Sequence, residues 1–436
     1  MSWADLPKDL LSVIFQDLAN NNCHLPDLCQ CLYVCSLWRR VAKELCQCSA
    51  ARAAPWLLIP REQPDKLVFD TSLNNSHNKT SIVFDNSSSD IFSLGLPIGE
   101  DQSSFTDQKV IVYASEAGWL LLGLEFKSSS SNLEQPVFLY NPMLKVLIKL
   151  PPLPSRLKLG RYTQFAMSET SPRCIICLRI DMTLLAFCKP SEGQELLSSS
   201  WVLSEKPKSS KFYVVSMIFH KEIFYTMDDD CALYVHPGIT DFMNDSSRTR
   251  AWPWPLAQNR VALSTYKKNV HPRYFRLVES INGDVLMVER ISEEKYRHTI
   301  SFNVYKLTVR GSYKRKNCGS DKSNCYYYWK EVNKLEENEA LYLGWNDSVS
   351  ISVNVSDSNN INTYKPNCIY FFDEELDGKL CSYCVFNLEN NSIQHAVLLD
   401  SDEYDTDTDT DTDTENEAAA VPKFCRLFTP SIPGYY

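Results

Sequence analysis

The run Tyr274-Phe-Arg-Leu-Val-Glu-Ser-Ile-Asn-Gly-Asp-Val-Leu-Met-Val-Glu-Arg290 decides the fold of this chain. Two stretches rich in strand formers, Tyr274 to Ile281 and Val285 to Arg290, flank Asn282-Gly283. Asn-Gly between apolar runs is the strongest short hairpin signal, because both residues tolerate the left-handed backbone of a tight reversal. The same unit recurs on either side. Val110 to Tyr113 and Trp119 to Leu122 flank Glu116-Ala-Gly118, and Val137 to Tyr140 and Val146 to Leu150 flank Asn141-Pro142. Cys174 to Ile180 precedes Thr183 to Phe187, and Tyr213 to Phe219 precedes Ile223 to Met227 across His220-Lys-Glu222. Leu233 to Val235 follows Asp228-Asp-Asp230, and His298 to Val309 reads as one long strand. Leu341 to Trp345, Ser348 to Val353, Cys368 to Phe372 and Tyr383 to Leu388 continue the series.

Short strands with a turn every few residues fit a sandwich, a barrel or a propeller. Residues 67–436 are too many for one sandwich. A propeller absorbs such length by repeating four-stranded blades of roughly 40–50 residues. The expected fold is therefore mainly β: a C-terminal β-propeller of six or seven degenerate blades. Thirteen glycines and no Gly-Gly pair leave it without the kelch pattern, and the WD-repeat pattern is missing too. Residues 49–66 read as a linker with a lead-in strand, Leu57 to Ile59. Near the end, Ser401 to Glu417 is an Asp-Thr repeat, too polar and self-repelling to pack a core, so disorder is expected at 400–417. It is expected to be a surface loop within the last blade, and the final strand is expected to close the ring by pairing with an early one.

Residues 1–48 have a different period. Leu10, Leu11, Ile14, Phe15 and Leu18 fall on one face of a helix that Pro7 opens and Asn20-Asn-Asn22 ends. Pro26 and Asp27 open a second helix, lined by Leu28, Cys31, Leu32 and Cys35. Leu37, Trp38, Val41 and Leu45 mark a third. Three helices this short cannot hide Leu10, Ile14, Leu32, Val34 and Trp38 among themselves. The surplus is covered either by the rest of the chain or by another protein.

The residues here carry a resemblance. Leu6-Pro7, Asp9-Leu10-Leu11, Ile14-Phe15 and Val34-Cys35-Ser36-Leu37-Trp38-Arg39 resemble the F-box pattern in order and spacing. The one departure is the longer first turn, Asn20 to His24. F-boxes dock on the Skp-type adaptor of SCF ubiquitin ligases. The resemblance thus implies an adaptor-binding surface made by Leu6, Pro7, Leu10, Ile14, Leu32, Val34, Cys35 and Trp38. Further on, Gly118-Trp-Leu-Leu-Leu122, Val137 to Pro142 and Ile148 to Pro152 are similar to the opening of the large domain of plant F-box proteins. Tyr342 to Asn346, Ser350 to Val353 and Asn367 to Asp373 resemble the C-terminal part of one such family, in which an F-box precedes a propeller-like domain of unknown function. Some of its members act in brassinosteroid signalling.

Composition bounds the remaining possibilities. The chain is 44% hydrophobic and 12% aromatic over 436 residues, which suits a folded, strand-rich protein. Its start carries Asp5 and Asp9 and has no basic, then apolar, leader. A reducing compartment, nucleus or cytoplasm, is expected, with the 16 cysteines as free thiols. The net charge of −10 comes from ten acidic residues between Asp400 and Glu417. The folded remainder is neutral, which argues against nucleic acid as a partner.

Catalytic and metal-binding patterns are weak. Cys174-Ile-Ile-Cys177 and Cys381-Ser-Tyr-Cys384 offer four zinc ligands on paper, but alternation along strands sends the two thiols of each pair to opposite faces. His24, Cys29, Cys31 and Cys35 fit a helix interior better than a metal cluster. Asp228-Asp-Asp230 reads as a solvated turn before a cation site. The Asp-Thr repeat offers threonines to acid-directed kinases. No Gly-x-Ser-x-Gly elbow, His-x-x-x-His pair or glycine-rich phosphate loop occurs. No metal, cofactor or catalytic residue is expected. Aromatics crowd Trp252-Pro-Trp254 and Tyr326-Tyr-Tyr-Trp329. The prolines hold Trp252 and Trp254 in an extended loop, so these two are the candidates for binding a target protein.

The expected function is that of a non-catalytic substrate receptor of an SCF-type ubiquitin ligase. Its F-box would bind the adaptor and through it a cullin, and its propeller would bind an unknown target. The alternative is an F-box-containing scaffold acting outside a ligase. A propeller enzyme or small-molecule sensor would need a polar pocket in the central channel.

Overall fold

A computed structural model describes residues 6–20, 31, 34–42, 56–59, 66–70, 91–95, 108–126, 135–141, 146–154, 157–160, 163–168, 174–180, 183–190, 201–204, 213–236, 239, 259–260, 273–293, 298–313, 324–344, 348–353, 365–374, 381–399 and 426–428. One helix, α1 (Lys8–Asn20), and a helical segment at 36–42 stand at the N-terminal end. The second expected helix lies largely outside the described residues.

The other named elements among the described residues are strands. The first sheet joins β1 (Trp56–Ile59), β2 (Lys66–Asp70) and β3 (Ile91–Gly95) to β25 (Arg426–Phe428), the last of the described strands. The second is β4 (Gln108–Glu116), β5 (Trp119–Phe126), β6 (Val137–Asn141) and β7 (Val146–Lys149). The third is β8 (Gln164–Met167), β9 (Ile176–Arg179), β10 (Leu185–Cys188) and β11 (Val202–Leu203). The fourth is β12 (Val214–His220), β13 (Ile223–Asp228), β14 (Ala232–His236) and β15 (Asn259–Arg260). The fifth is β16 (Arg273–Glu279), β17 (Val285–Ser292), β18 (Thr299–Tyr313) and β19 (Asn324–Val332). The sixth has five strands: β20 (Glu339–Leu343), β21 (Ser348–Ser352), β22 (Cys368–Glu374), β23 (Cys381–Asn387) and β24 (Ser392–Leu399).

One edge strand of each sheet lies against the matching strand of the next: β25 beside β4, then β8, β12, β16 and β21 in succession. Sheets meeting along one inner edge and packing face to face form a β-propeller. The first and last of the described strands meet in the first sheet, where the Trp56↔Phe428 and Leu58↔Arg426 pairings place β25 beside β1. The expected late-to-early pairing is thus present, and the lead-in strand is a full member of the first sheet. One expectation needs correction. The acidic stretch joins β24 of the sixth sheet to β25 of the first, so it connects two sheets and is not a loop within one. The stretch itself lies outside the described residues.

Face-to-face packing explains the sequence pattern. In the third sheet Ile176 and Leu178 pack into one core with Trp119, Leu121 and Leu139 of the second sheet. Ile175 and Cys177 pack into another with Phe224 of the fourth. Both faces are dry, so β10 reads Leu-Ala-Phe-Cys with no polar alternation. Polar stitches cross the later interfaces. Asp373 on β22 accepts hydrogen bonds from Arg290 Nη2 at 2.5 Å and from the Thr299 amide at 3.0 Å, tying the sixth sheet to the fifth. The Ser216 hydroxyl on β12 accepts from the Leu277 amide at 2.9 Å, and the Ser348 hydroxyl donates to the Leu277 carbonyl at 2.9 Å.

The Asn282-Gly283 hairpin forms with Glu279 opposite Val285. Gly283 alone takes the left-handed backbone, at φ +70°, while its amide donates to the Ser280 carbonyl. The reversal is a right-handed turn followed by one left-handed glycine, the usual build of a three-residue loop. The sixth sheet is irregular: β20 pairs with β22 in parallel, so the β20–β21 hairpin supplies the inner edge before the chain returns to β22.

Candidate functional site at the N-terminal helices

Pro7 stands just ahead of α1, where its missing N–H leaves nothing unsatisfied, and its carbonyl accepts from the Leu11 amide at 3.1 Å. Asp9 sits in the first turn, where the helix dipole favours an acid. Leu11 and Phe15 are fully buried, as are Val41 and Ala42 in the segment at 36–42. Phe15 meets the half-buried Trp38 edge-on, ring centres 5.1 Å apart. This aromatic pair joins the two helical pieces.

The neighbouring face of α1 is apolar and exposed. Leu10 keeps 53% of its surface in solvent, Val13 66% and Ile14 39%. Val34, ahead of the second helical piece, keeps 54%. Leu10, Val13 and Ile14 form one stripe at three- and four-residue spacing, and Asp17 continues it as an exposed acid. Of the other expected adaptor contacts, Leu6 and Cys35 are half-buried and Pro7 is exposed. Leu32 lies outside the described residues, as do the target-binding candidates Trp252 and Trp254. Val13 was not anticipated, although its offset of three from Leu10 was visible in the sequence. Each aliphatic side chain of this size gains ~1.5–3 kcal/mol when a partner removes it fully from water.

The competing sites resolve into packing. Cys174 and Cys177 belong to two different cores, on opposite faces of one sheet, as strand alternation requires. Cys384 lies in a third core, two sheets or more away in the chain order. Burial pushes the Cys177 thiol well up, which keeps it an inert thiol. The side chain of Cys381 is outside the described set. Among the described residues no group of three His, Cys, Asp or Glu is placed to hold a metal ion. Asp228 ends β13 where the turn begins and is buried, not solvated as the sequence suggested, because the turn folds its amides back onto the carboxylate. Its Oδ1 accepts from the amides of Asp230 at 3.0 Å and Ala232 at 2.7 Å, and its Oδ2 accepts from the Tyr234 hydroxyl at 3.0 Å. Burial raises its pKa, and those hydrogen bonds pull in the opposite direction. Of the aromatic run at 326–329, Trp329 is buried against Met287 and Tyr305 while Tyr328 is exposed. Among the described residues no helix is long and apolar enough to cross a membrane.

Succeeding sheets about one inner edge, preceded by short helices with an apolar outer stripe, define a β-propeller protein with an N-terminal helical unit. Residues 84–387 match the family model of the KIB1-4 β-propeller. The chain belongs to that family. A protein of Arabidopsis thaliana named as an F-box protein is 23% identical over 359 residues, which are 72% of this chain and 76% of that one. The resemblance to plant F-box proteins with a C-terminal propeller is thus borne out. Two solved structures are also similar. Penicillium chrysogenum α-L-arabinanase complexed with arabinobiose is 11% identical, covering 68% of this chain and 94% of its own, at a TM-score of 0.28. The WD40 domain of SCAP from fission yeast is 10% identical, covering 86% and 84%, at 0.29.

Proposed function

We propose that this protein is the substrate receptor of an SCF-type ubiquitin ligase, with residues 1–48 an F-box and each of the six sheets one propeller blade. The observation that carries the reading is the exposed stripe of Leu10, Val13 and Ile14, with Val34 beside it. Four aliphatic side chains on so small a helical unit are a standing reason to bind a protein, and the F-box pattern in the same residues names a Skp-type adaptor. The similarity to a protein named as an F-box protein supports the same reading. The chain supplies no nucleophile. It holds a target beside a ubiquitin-conjugating enzyme carried elsewhere in the assembly and raises the local concentration of its lysines. The nucleus or cytoplasm is the compartment that suits this work.

Leu10→Asp and Ile14→Asp place a charge in the docking surface while leaving the buried Leu11 and Phe15 untouched. Both variants are expected to melt with the wild type and to lose the adaptor in pull-down, and with it the cullin. Full retention of the adaptor by both variants contradicts the reading. Adaptor binding without cullin in wild-type complexes points to a scaffold outside a ligase.

A further inference from the structure

Among the described residues eight cysteines hold thiols in no disulfide. Six of them are buried among the sheets. Burial pushes the Cys177 and Cys188 thiols well up and Cys384 up to about 12, so these stay protonated and closed to reagents. The other two, Cys31 and Cys35, keep part of their surface in solvent, and both stand in the N-terminal helical unit. They flank Val34, one of the exposed aliphatic side chains of the docking surface. The Cys31 carbonyl accepts from the Val34 amide at 3.4 Å, and the Cys35 carbonyl accepts from the Arg39 amide at 2.8 Å. The first bond folds a tight turn. The second makes Cys35 the residue that opens the helical segment at 36–42. The turn that presents Val34 thus has a thiol at each end. Arg39, one helical turn after Cys35, and Arg40 are exposed, and two cations so near favour an anionic thiol reagent.

Building on the substrate-receptor reading, we propose that Cys31 and Cys35 form a modification site at which glutathione disulfide adds to a thiol and takes the adaptor-docking surface out of use. The step is thiol–disulfide exchange. The cysteine sulfur gives up its proton and attacks one sulfur of glutathione disulfide. An S–S bond forms between the protein and one glutathione, and the S–S bond of the reagent breaks. The other glutathione leaves as a thiolate and takes up the proton. The protein thiol is oxidised and the departing glutathione is reduced, so no further oxidant is needed. Excess glutathione reverses the step, and occupancy follows the ratio of disulfide to thiol. The adduct sets a charged tripeptide beside Val34. An adaptor closing over it would bury carboxylates without partners. The exclusion is mutual, because an adaptor seated on Val34 covers the flanking thiols; docking and glutathionylation therefore compete.

The test treats the full chain with glutathione disulfide, alone and after assembly with a Skp-type adaptor, and locates the adducts residue by residue by mass spectrometry. Cys31 or Cys35 is expected to gain glutathione in the chain alone and to be protected in the assembly, while Cys174 and Cys177 gain none in either. The treated chain is expected to lose the adaptor in pull-down and to regain it after dithiothreitol. In the Cys31→Ser, Cys35→Ser double variant the treatment is expected to leave binding as it was before, whatever its starting strength. Absence of glutathione from both positions overturns the proposal. So does full adaptor binding by chains modified there, and so does a loss on treatment of the double variant equal to that of the wild type. Should the double variant bind too weakly to read, protection in the wild type decides: equal modification with and without adaptor overturns the proposal. Leu10→Asp is expected to lose the adaptor yet take up glutathione as the wild type does, so the two readings fail separately.

Discussion

His236 shows how burial sets chemistry for a single side chain. It is fully buried, its Nε2 lies 2.9 Å from the Thr226 hydroxyl, and burial lowers its pKa from 6.5 to about 3. The folded protein therefore keeps this imidazole neutral where the unfolded chain protonates it. Unfolding takes up a proton as pH falls from 6.5 towards 3, so the stability due to a neutral His236 is present above 6.5 and declines below it. The slope over that window is about 1.4 kcal/mol per pH unit. Urea unfolding at pH 7, 5 and 4 should show a shallower decline for His236→Gln than for the wild type. Equal declines would assign the acid sensitivity elsewhere. This burial was not legible in the sequence, because a histidine at the end of a short strand looks the same whether or not a second sheet covers it. Leu11 and Phe15 against Leu10 and Ile14 was a similar ambiguity. Helical spacing collected all four on one broad stripe, and only the placement of Trp38 divides it into a packed half and an exposed half.

At the level of strands and turns, much was readable. The hairpins around Gly118, Glu222 and Gly283 all form where turn residues interrupt apolar runs. The β20–β22 parallel pairing was not readable, since nothing local distinguishes a strand that pairs with its predecessor from one that skips it. Lys221-Glu222 is an unusual reversal. Both residues hold positive φ, 46° and 64°, which a Cβ disfavours. Lys221 is tied by its ammonium to the Gly283 carbonyl at 2.9 Å, while Glu222 is exposed. Glu222→Gly should stabilise the protein by roughly 0.5–1 kcal/mol through relief of that backbone, read as a higher urea midpoint with unchanged slope. A lower midpoint would mean that the glutamate side chain matters more than its backbone. Gly123 is the opposite case, because a Cβ there would lie 2.7 Å from Tyr113 Cε2, so its lack of a side chain is required.

The whole molecule depends on one short seam. β25 supplies three residues, Arg426 to Phe428, yet they complete the first sheet and its contact with β4. A chain ending before Arg426 leaves the β1 edge unpaired, a template for association with other chains. Such a truncation is expected to melt less cooperatively and to elute partly as aggregate; a melting curve matching the full chain would show that the seam contributes little. Repeating hairpins suggested the propeller from sequence, but the blade number was not readable because the repeats share packing and no common motif. In the sixth sheet the inner position is filled by β21 and not by the first strand of its group, an order that periodicity does not encode.

The seam also fixes a timetable. Trp56 and Phe428 are partners, so the ribosome must reach Phe428 before β1 meets that mate. At translation speeds of roughly 5–20 residues per second, β1 waits on the order of 20–80 s with one side open. During that interval the nascent chain offers chaperones a bare strand, and any premature stop codon upstream of Arg426 yields a product that stays in that unfinished condition.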